Sequence, residues 1–384
     1  MAFSSPLLVI VIIIATFLLA TLGLAATITP PNRPFKKIYV FGDSYTDTGN
    51  TNSATGPSSF NFVSNPPYGM TFFHRPTNRY SDGRIMIDFV SQVLGLPFIP
   101  PYLDRKANKS HGVNFAVAGA SAIRHSFYVK NNMSLNITPQ SLETEIRWFD
   151  KFLESQGCKG WNETPKQCGE AFEDALFWIG EMGENDYSYT YISSVDKLKV
   201  QKLVIKSLTT FLQTILSKGA KYVVVQGLPT TGCLPFALFL SSDDDRDAIG
   251  CSSSFNKQSY EHNRLLQSKL AYLRNQFPDA VIVYSDFWNS FREVVTSPEK
   301  YGFVERFKAC CGPGADPYNF EMFFPCGSPN TSACGNPYQY INWDGAHLTE
   351  GMNKVLANLM LDGTFSYPPF QTLLKKKGEQ SLRT

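Results

Sequence analysis

The chain has 384 residues, of which 43 % are apolar and 18 % charged, with a formal net charge of +2. That near-neutral balance excludes an electrostatic case for a nucleic-acid partner, which needs a concentrated basic surface. The length and composition suit a large buried core, and α/β folds of this size often form one unit.

Residues 1–25 carry no charged side chain, and residues 7–24 are almost wholly apolar, with small residues at Gly23, Ala25 and Ala26. This reads as a secretory signal peptide cleaved near Ala25. The run approaches the ~20 residues that span a bilayer, so an uncleaved anchor is the alternative. After signal cleavage no stable membrane insertion is expected, because no later segment is long enough to span. Residues 26–35 read as a Pro-containing linker, 36–365 as a single domain and 366–384, with the basic run 375–377, as a solvated C-terminal tail.

From residue 37 the chain alternates between two periodicities. KIYVF at 37–41 is a β-branched and aromatic run that stops at Gly42, and similar runs recur at 113–117, 175–179, 221–225 and 280–284. Each predicts a buried strand. Between them, apolar residues from Val200 to Leu216 keep the i, i+3, i+4, i+7 spacing of a helix, with Gly219 as its stop. Helices are also predicted over 82–94, 141–155, 255–277 and 348–361. Alternating strands and helices imply a parallel sheet covered on both faces, whose ligand site lies beyond the carboxyl ends of the strands. Residues 228–254 are irregular and carry LPFALFL at 234–240. That segment reads either as a mobile apolar lid, favouring lipid chains, or as a packed loop.

The eight cysteines are Cys158, Cys168, Cys233, Cys251, Cys310, Cys311, Cys326 and Cys334. An even count fits disulfides in an oxidising compartment. Cys158 with Cys168 and Cys233 with Cys251 are natural local pairs, although spacing leaves connectivity open. A zinc site is disfavoured, since no Cys-x-x-Cys pair exists and no histidine sits near the cysteine cluster. Five N-x-S/T sequons, at Asn108, Asn132, Asn136, Asn162 and Asn330, are glycosylation candidates on a secreted chain. The expected destination on that route is extracellular, the apoplast, with the vacuole as the alternative.

Ser44 follows the first predicted strand in Gly42-Asp43-Ser44. A serine there presents its hydroxyl at the strand's carboxyl edge, and a helix following it would aim amide N–H groups at a developing anion. Alone, Ser44 reads as readily as a helix cap. Asp344 and His347 lie in Trp343-Asp344-Gly345-Ala346-His347 before the last predicted helix. A serine nucleophile needs a base, and the base needs a carboxylate to fix its tautomer. Of the five histidines, His74, His111, His125 and His262 lack a carboxylate at comparable spacing beside a strand end and read as surface or structural. Gly119, in NFAVAGA, offers a closely approachable N–H, and Asn185, in Gly183-Glu184-Asn185-Asp186, offers a carboxamide. Either alone is an ordinary turn residue. In this order, at the ends of successive elements, Ser44, Gly119, Asn185 and the Asp344–His347 pair supply the nucleophile, oxyanion donors and base of serine acyl transfer.

This ordered set resembles the GDSL (SGNH) hydrolase family. Its first block is matched by Gly42-Asp43-Ser44-Tyr45-Thr46-Asp47-Thr48-Gly49-Asn50, its second at Gly119, its third at 183–186 and its last by Asp344 and His347. The plant subfamily's PTNRYSDGR-like stretch lies at 76–84 and its CCG element at 310–312. The resemblance covers residues 36–365, departing visibly only at Tyr45, where the family name expects Leu. It implies a three-layer α/β/α flavodoxin-like fold and a triad of Ser44, Asp344 and His347. The oxyanion hole it implies comprises Ser44, Gly119 and Asn185, with no metal or organic cofactor. The implied activity is a carboxylic ester hydrolase, acting as a monomer on small-molecule, phenolic or lipid esters. An acyltransferase with the same triad, such as one moving hydroxycinnamoyl groups, is the alternative, and a catalytically inactive binding protein is the third class.

Overall fold

Strand β1 (Lys37–Phe41) has no polar face: Ile38 and Val40 point to one side of the sheet, Tyr39 and Phe41 to the other, and all four are buried. Such a strand is stable only at the centre of a sheet covered on both sides. The computed structural model, which describes residues 33–52, 60, 62–133, 138–158, 168–191 and 193–381, places it there.

Its principal elements follow β1 as α1 (Met86–Val93), β2 (Gly112–Asn114), α2 (Leu142–Ser155), β3 (Ala175–Ile179), α3 (Glu184–Thr190), α4 (Lys197–Ser217), β4 (Tyr222–Gln226) and α5 (Pro235–Leu240). Then come α6 (Ser253–Gln276), β5 (Val281–Ser285), α7 (Phe287–Thr296), β6 (Glu305–Ala309), β7 (Cys311–Gly312), β8 (Ser332–Ala333) and β9 (Tyr340–Asn342). The last are α8 (Glu350–Leu361), β10 (Ser366–Tyr367) and α9 (Gln371–Ser381). The main sheet runs β10-β5-β4-β3-β1-β2, parallel except for antiparallel β10. Connections therefore wind in opposite directions from β1, and the crevice beyond β1 and β3 is the switch point where a doubly wound sheet accepts its ligand. This is the expected three-layer α/β/α, flavodoxin-like arrangement.

One core forms under the face bearing Tyr39, Phe41, Phe177 and Val223, where α2, α4 and α6 pack with Phe149, Leu208 and Leu270. The opposite core joins Val40, Trp178 and Val224 to α1, α7 and α8 through Ile87, Phe291 and Leu356. A third, smaller cluster encloses Tyr68, Tyr80 and Trp343 against Cys310, Cys311 and Cys326. The disulfides are Cys158–Cys168, Cys233–Cys251, Cys310–Cys334 and Cys311–Cys326. The first two are the local pairs expected from spacing.

Three expectations need correction. Residues 366–384 do not trail into solvent as far as they are described: β10 pairs with β5, and Phe370 and Leu373 enter the core. Burying two such side chains contributes roughly 1.5–3 kcal/mol each, enough to dock a segment that looks like a basic tail. Lys377 within it is buried, and its ammonium meets Asp174. Second, no helix follows Ser44; residues 43–47 form a turn in which the Thr46 and Asp47 N–H groups bond back to the Asp43 carbonyl. Third, α1 starts at Met86 rather than near residue 82, because residues 81–84 are held by Glu350 instead. The expected signal peptide at 1–25 and the sequons Asn136 and Asn162 lie outside the described residues. Asn108, Asn132 and Asn330 are exposed. Among the described residues no helix is long and apolar enough to cross a membrane.

Candidate active site

Ser44 sits in the turn that leaves β1. The turn is braced from below by Asp47, whose buried carboxylate accepts the N–H groups of Gly49, Asn50 and Thr51 at 2.7, 2.6 and 2.9 Å and that of Ala118 at 3.1 Å. Asn50 donates to the carbonyls of Asn114 and Ala116 at 2.8 and 2.9 Å. Together these bonds hold the Ser44 turn against the segment bearing Gly119.

His347 reaches Ser44 from the loop before α8. Its Nε2 lies 2.8 Å from Ser44 Oγ, and its Nδ1 lies 2.9 Å from both oxygens of Asp344. All three residues are under 9 % exposed. The offset between Asp344 and His347 works because their turn closes on itself: Asp344 Oδ1 accepts the N–H groups of Ala346 and His347, each at 2.8 Å. Burial, the largest influence, pushes the Asp344 carboxyl up. The His347 charge, the imidazole hydrogen bond and those two N–H groups outweigh it, so Asp344 is held below the ordinary carboxylate range. An ionised, oriented carboxylate is what a serine-activating histidine requires.

Gly119 has φ +76°, and a Cβ there would lie 2.4 Å from Thr138 Oγ1 and 2.7 Å from Phe60 Cε2. Only glycine fits. Neither the Ser44 nor the Gly119 N–H is taken by an acceptor among the described residues. Asn185 opens α3 and lines the same cavity, but its carboxamide is committed: Nδ2 donates to Asp43 Oδ2 at 2.6 Å and to the Ala120 carbonyl at 3.2 Å. The neighbouring Asp186 carboxylate accepts the N–H groups of Ala122 and Ile123 at 2.8 and 2.9 Å, tying the Gly119 segment to α3.

Ser44, Asn185 and His347 border a cavity of about 180 Å³, walled by Tyr45, Phe60, Tyr189 and Phe236. Beneath it Asp43, Glu181 and Glu184 are buried together. Burial pushes Asp43 up to about 6 and Glu184 up to about 7. Glu181 is also pushed well above its ordinary value, through burial and then the nearby Asp43 charge.

The structure thus brings Ser44, Asp344, His347, Gly119 and Asn185 to one crevice. Of the other histidines, His262 is buried with Nδ1 2.9 Å from Tyr187 Oη, and burial lowers its pKa to about 3. Among the described residues no group of three or more His, Cys, Asp or Glu is arranged to hold a metal ion. Segment 234–240 packs: α5 follows the Cys233–Cys251 disulfide, and Phe236 N–H bonds the Gly345 carbonyl at 2.9 Å.

Sequence reasoning missed three aromatic neighbours. Tyr68 donates its hydroxyl to Asp344 Oδ2 at 2.8 Å, the Tyr45 hydroxyl bonds the Ala346 carbonyl, and the Tyr80 ring lies 4.6 Å from the His347 ring. Tyr80 belongs to the stretch at 76–84 that had marked only a resemblance, so a signal was present without a role.

The GDSL-like Lipase/Acylhydrolase family description matches residues 38–360. A GDSL esterase/lipase of Arabidopsis thaliana is 55 % identical, with 97 % of this chain and 98 % of the relative covered. Acetylajmalan esterase 2 of Rauvolfia serpentina is 37 % identical over 85 % of this chain and 90 % of its own length. Acetylajmalan esterase from the same plant is 36 % identical, covering 91 % and 92 %.

Proposed function

We infer the roles of these residues from one premise: the chain belongs to the GDSL-like lipase/acylhydrolase family and is a serine ester hydrolase. The observation that carries the assignment is the continuous contact from Asp344 through His347 to Ser44, at 2.9 and 2.8 Å. His347 Nε2 takes the Ser44 proton as Oγ attacks the ester carbonyl, and Asp344 stabilises the imidazolium. The tetrahedral oxyanion is met by the Ser44 and Gly119 N–H groups. Asn185 joins them by exchanging its longer bond, to Ala120, for the oxyanion. His347 then protonates the leaving alcohol, and water, deprotonated by the same imidazole, releases the acid.

The substrate class follows from the cavity. About 180 Å³ between aromatic walls is well below the usual range for drug-sized ligands and suits an acetyl-sized acyl group, with the alcohol directed outward. Relatives named for an acetylated substrate agree with a short acyl group. One chain supplies every group of the site, which supports a monomer. Four disulfides and the exposed sequons Asn108, Asn132 and Asn330 support passage through the secretory route.

A fluorophosphonate probe followed by peptide mapping tests the nucleophile: the label is expected on Ser44, and a label on another serine removes the assignment. Acetate, butyrate and octanoate esters of one alcohol test the cavity. Turnover is expected to fall steeply with chain length, and Phe236→Ala to shift the preference toward octanoate by about tenfold, roughly the discrimination one or two methylenes supply in an apolar pocket. An unchanged profile in Phe236→Ala overturns the acyl-pocket reading. An added alcohol acceptor is expected to leave the yield of free acid unchanged.

A further inference from the structure

We propose that Tyr68 is a positioning residue of this site: its hydroxyl fixes the Asp344 carboxylate and, through it, the orientation and basicity of His347. The proposal rests on the catalytic reading of Ser44, His347 and Asp344 given above.

The two oxygens of Asp344 are supported differently. Oδ1 accepts two backbone N–H groups from its own turn, at 2.8 Å each. Apart from the imidazole that both oxygens face, Oδ2 has Tyr68 as its donor among the described residues, at 2.8 Å. A carboxylate held at one oxygen pivots about that oxygen; held at both, it is fixed in plane. Tyr68 is therefore the group that stops the pivot.

Its own placement is rigid. The ring is 4 % exposed and packs edge-on against Trp343 and Tyr80, at centroid distances of 5.9 and 5.8 Å. Trp343 is in turn held by Cys311, whose N–H bonds its carbonyl at 2.6 Å, and by its own N–H to the His347 carbonyl at 2.8 Å. Cys311 is joined to Cys326. Burial and the adjacent Asp344 charge push the Tyr68 hydroxyl well above its ordinary value, so it stays protonated and donates throughout the working range. The segment from Tyr68 to Arg84 also carries Tyr80, whose ring faces His347. One stretch of chain thus touches both the carboxylate and the base.

Removing this donor has two consequences of known sign. The carboxylate keeps more of its charge and holds a proton on the imidazole more tightly. The imidazole also loses part of its fixed aim at Ser44. The other groups facing the pair are unchanged: Asp43 acts on His347 through space, and the rings of Tyr45 and Tyr80 pack against it. Tyr68 does not line the substrate cavity, so substrate affinity is not expected to move.

The test is Tyr68→Phe, which deletes one oxygen and keeps the ring. With an acetate ester, kcat is expected to fall about tenfold, KM to stay within about twofold, and the acid limb of kcat/KM to move up by about half a pH unit. Site-specific 3-fluorotyrosine at position 68 keeps the fold and donates more strongly, so it is expected to move that limb down. If Tyr68→Phe does not fold, the fluorotyrosine protein decides alone, an unmoved limb overturning the proposal. An acid limb unmoved in both proteins, or a change confined to KM, also overturns it. Ser44→Ala measured alongside separates the two ideas: loss of activity there with a wild-type Tyr68→Phe enzyme leaves the nucleophile in place and removes the positioning role.

Discussion

Ser44→Ala is expected to lower kcat by about 10⁵-fold, with the fold intact and KM for a short ester little changed. The size follows from what the single atom does. Ser44 Oγ donates to His347 Nε2 at 2.8 Å and, in the proposed mechanism, is the atom that forms the acyl-enzyme, so its loss removes the covalent route entirely. What survives is the open Ser44 and Gly119 N–H pair, which still stabilises an oxyanion if water attacks directly. His347→Ala is expected to cost a similar factor. The double variant should cost no more than either alone, because the two residues act as one unit. Steady-state turnover of an acetate ester, with circular dichroism confirming the fold, measures all three. Ser44→Ala activity within tenfold of the parent would remove Ser44 as nucleophile, and additive losses would separate it from His347.

The residues that meet in the crevice were legible because their order is informative where each alone is not. Ser44, Gly119 and His347 are ambiguous one by one, as cap, turn and loop histidine. Only a chain whose strands run parallel brings all three to one edge, and the strand periodicity already specified that. What could not be read was the state of each group. Asn185 was expected as a free donor, yet its carboxamide is spent on Asp43 and Ala120. No spacing rule reveals that bond, which depends on how closely the turns after β1 and β3 approach. Tyr68 was invisible for a similar reason: it is 276 residues from Asp344, and a tyrosine in a proline-rich loop carries no local pattern.

The fold was legible where a run was apolar on both faces or kept a helical stripe, as in β1, β3 and α4. It was less so at segments decided by tertiary contacts. The sequence 366–384 has too few apolar residues for a periodic signal, and β10 forms because β5 presents an open edge. The start of α1 was displaced because Glu350, distant in sequence, captures Arg84, with a side-chain contact of 2.6 Å and the backbone N–H at 2.7 Å. Long-range polar partners outcompeted local helix propensity at that position.

Stability is expected to fall as pH rises from about 5 to about 8, by on the order of a few kcal/mol. Burial pushes Asp43, Asp82 and Asp186 up to about 6, and Glu184 up to about 7. A carboxyl whose folded pKa exceeds its unfolded value near 4 binds more protons in the native state across that interval. The unfolding free energy therefore declines with pH: the contribution is fully present below about pH 4 and is lost through pH 6–7. His262, which burial lowers to about 3, works in the opposite sense up to about pH 6.5 and offsets part of this decline. The lowered carboxyls Asp174, Asp245, Glu293 and Asp344 lose their contribution only below about pH 4, outside the interval. The total stays at a few kcal/mol because neighbouring carboxyls such as Asp43 and Glu181 share protons rather than each holding its own. Urea unfolding at a series of pH values measures the slope, and Glu184→Gln is expected to flatten its upper part, since Thr231 can still donate to the amide oxygen. Unfolding midpoints that climb between pH 5 and 8 would show these carboxyls ionised in the native state. The expected slope makes the protein more stable at mildly acidic than at mildly alkaline pH.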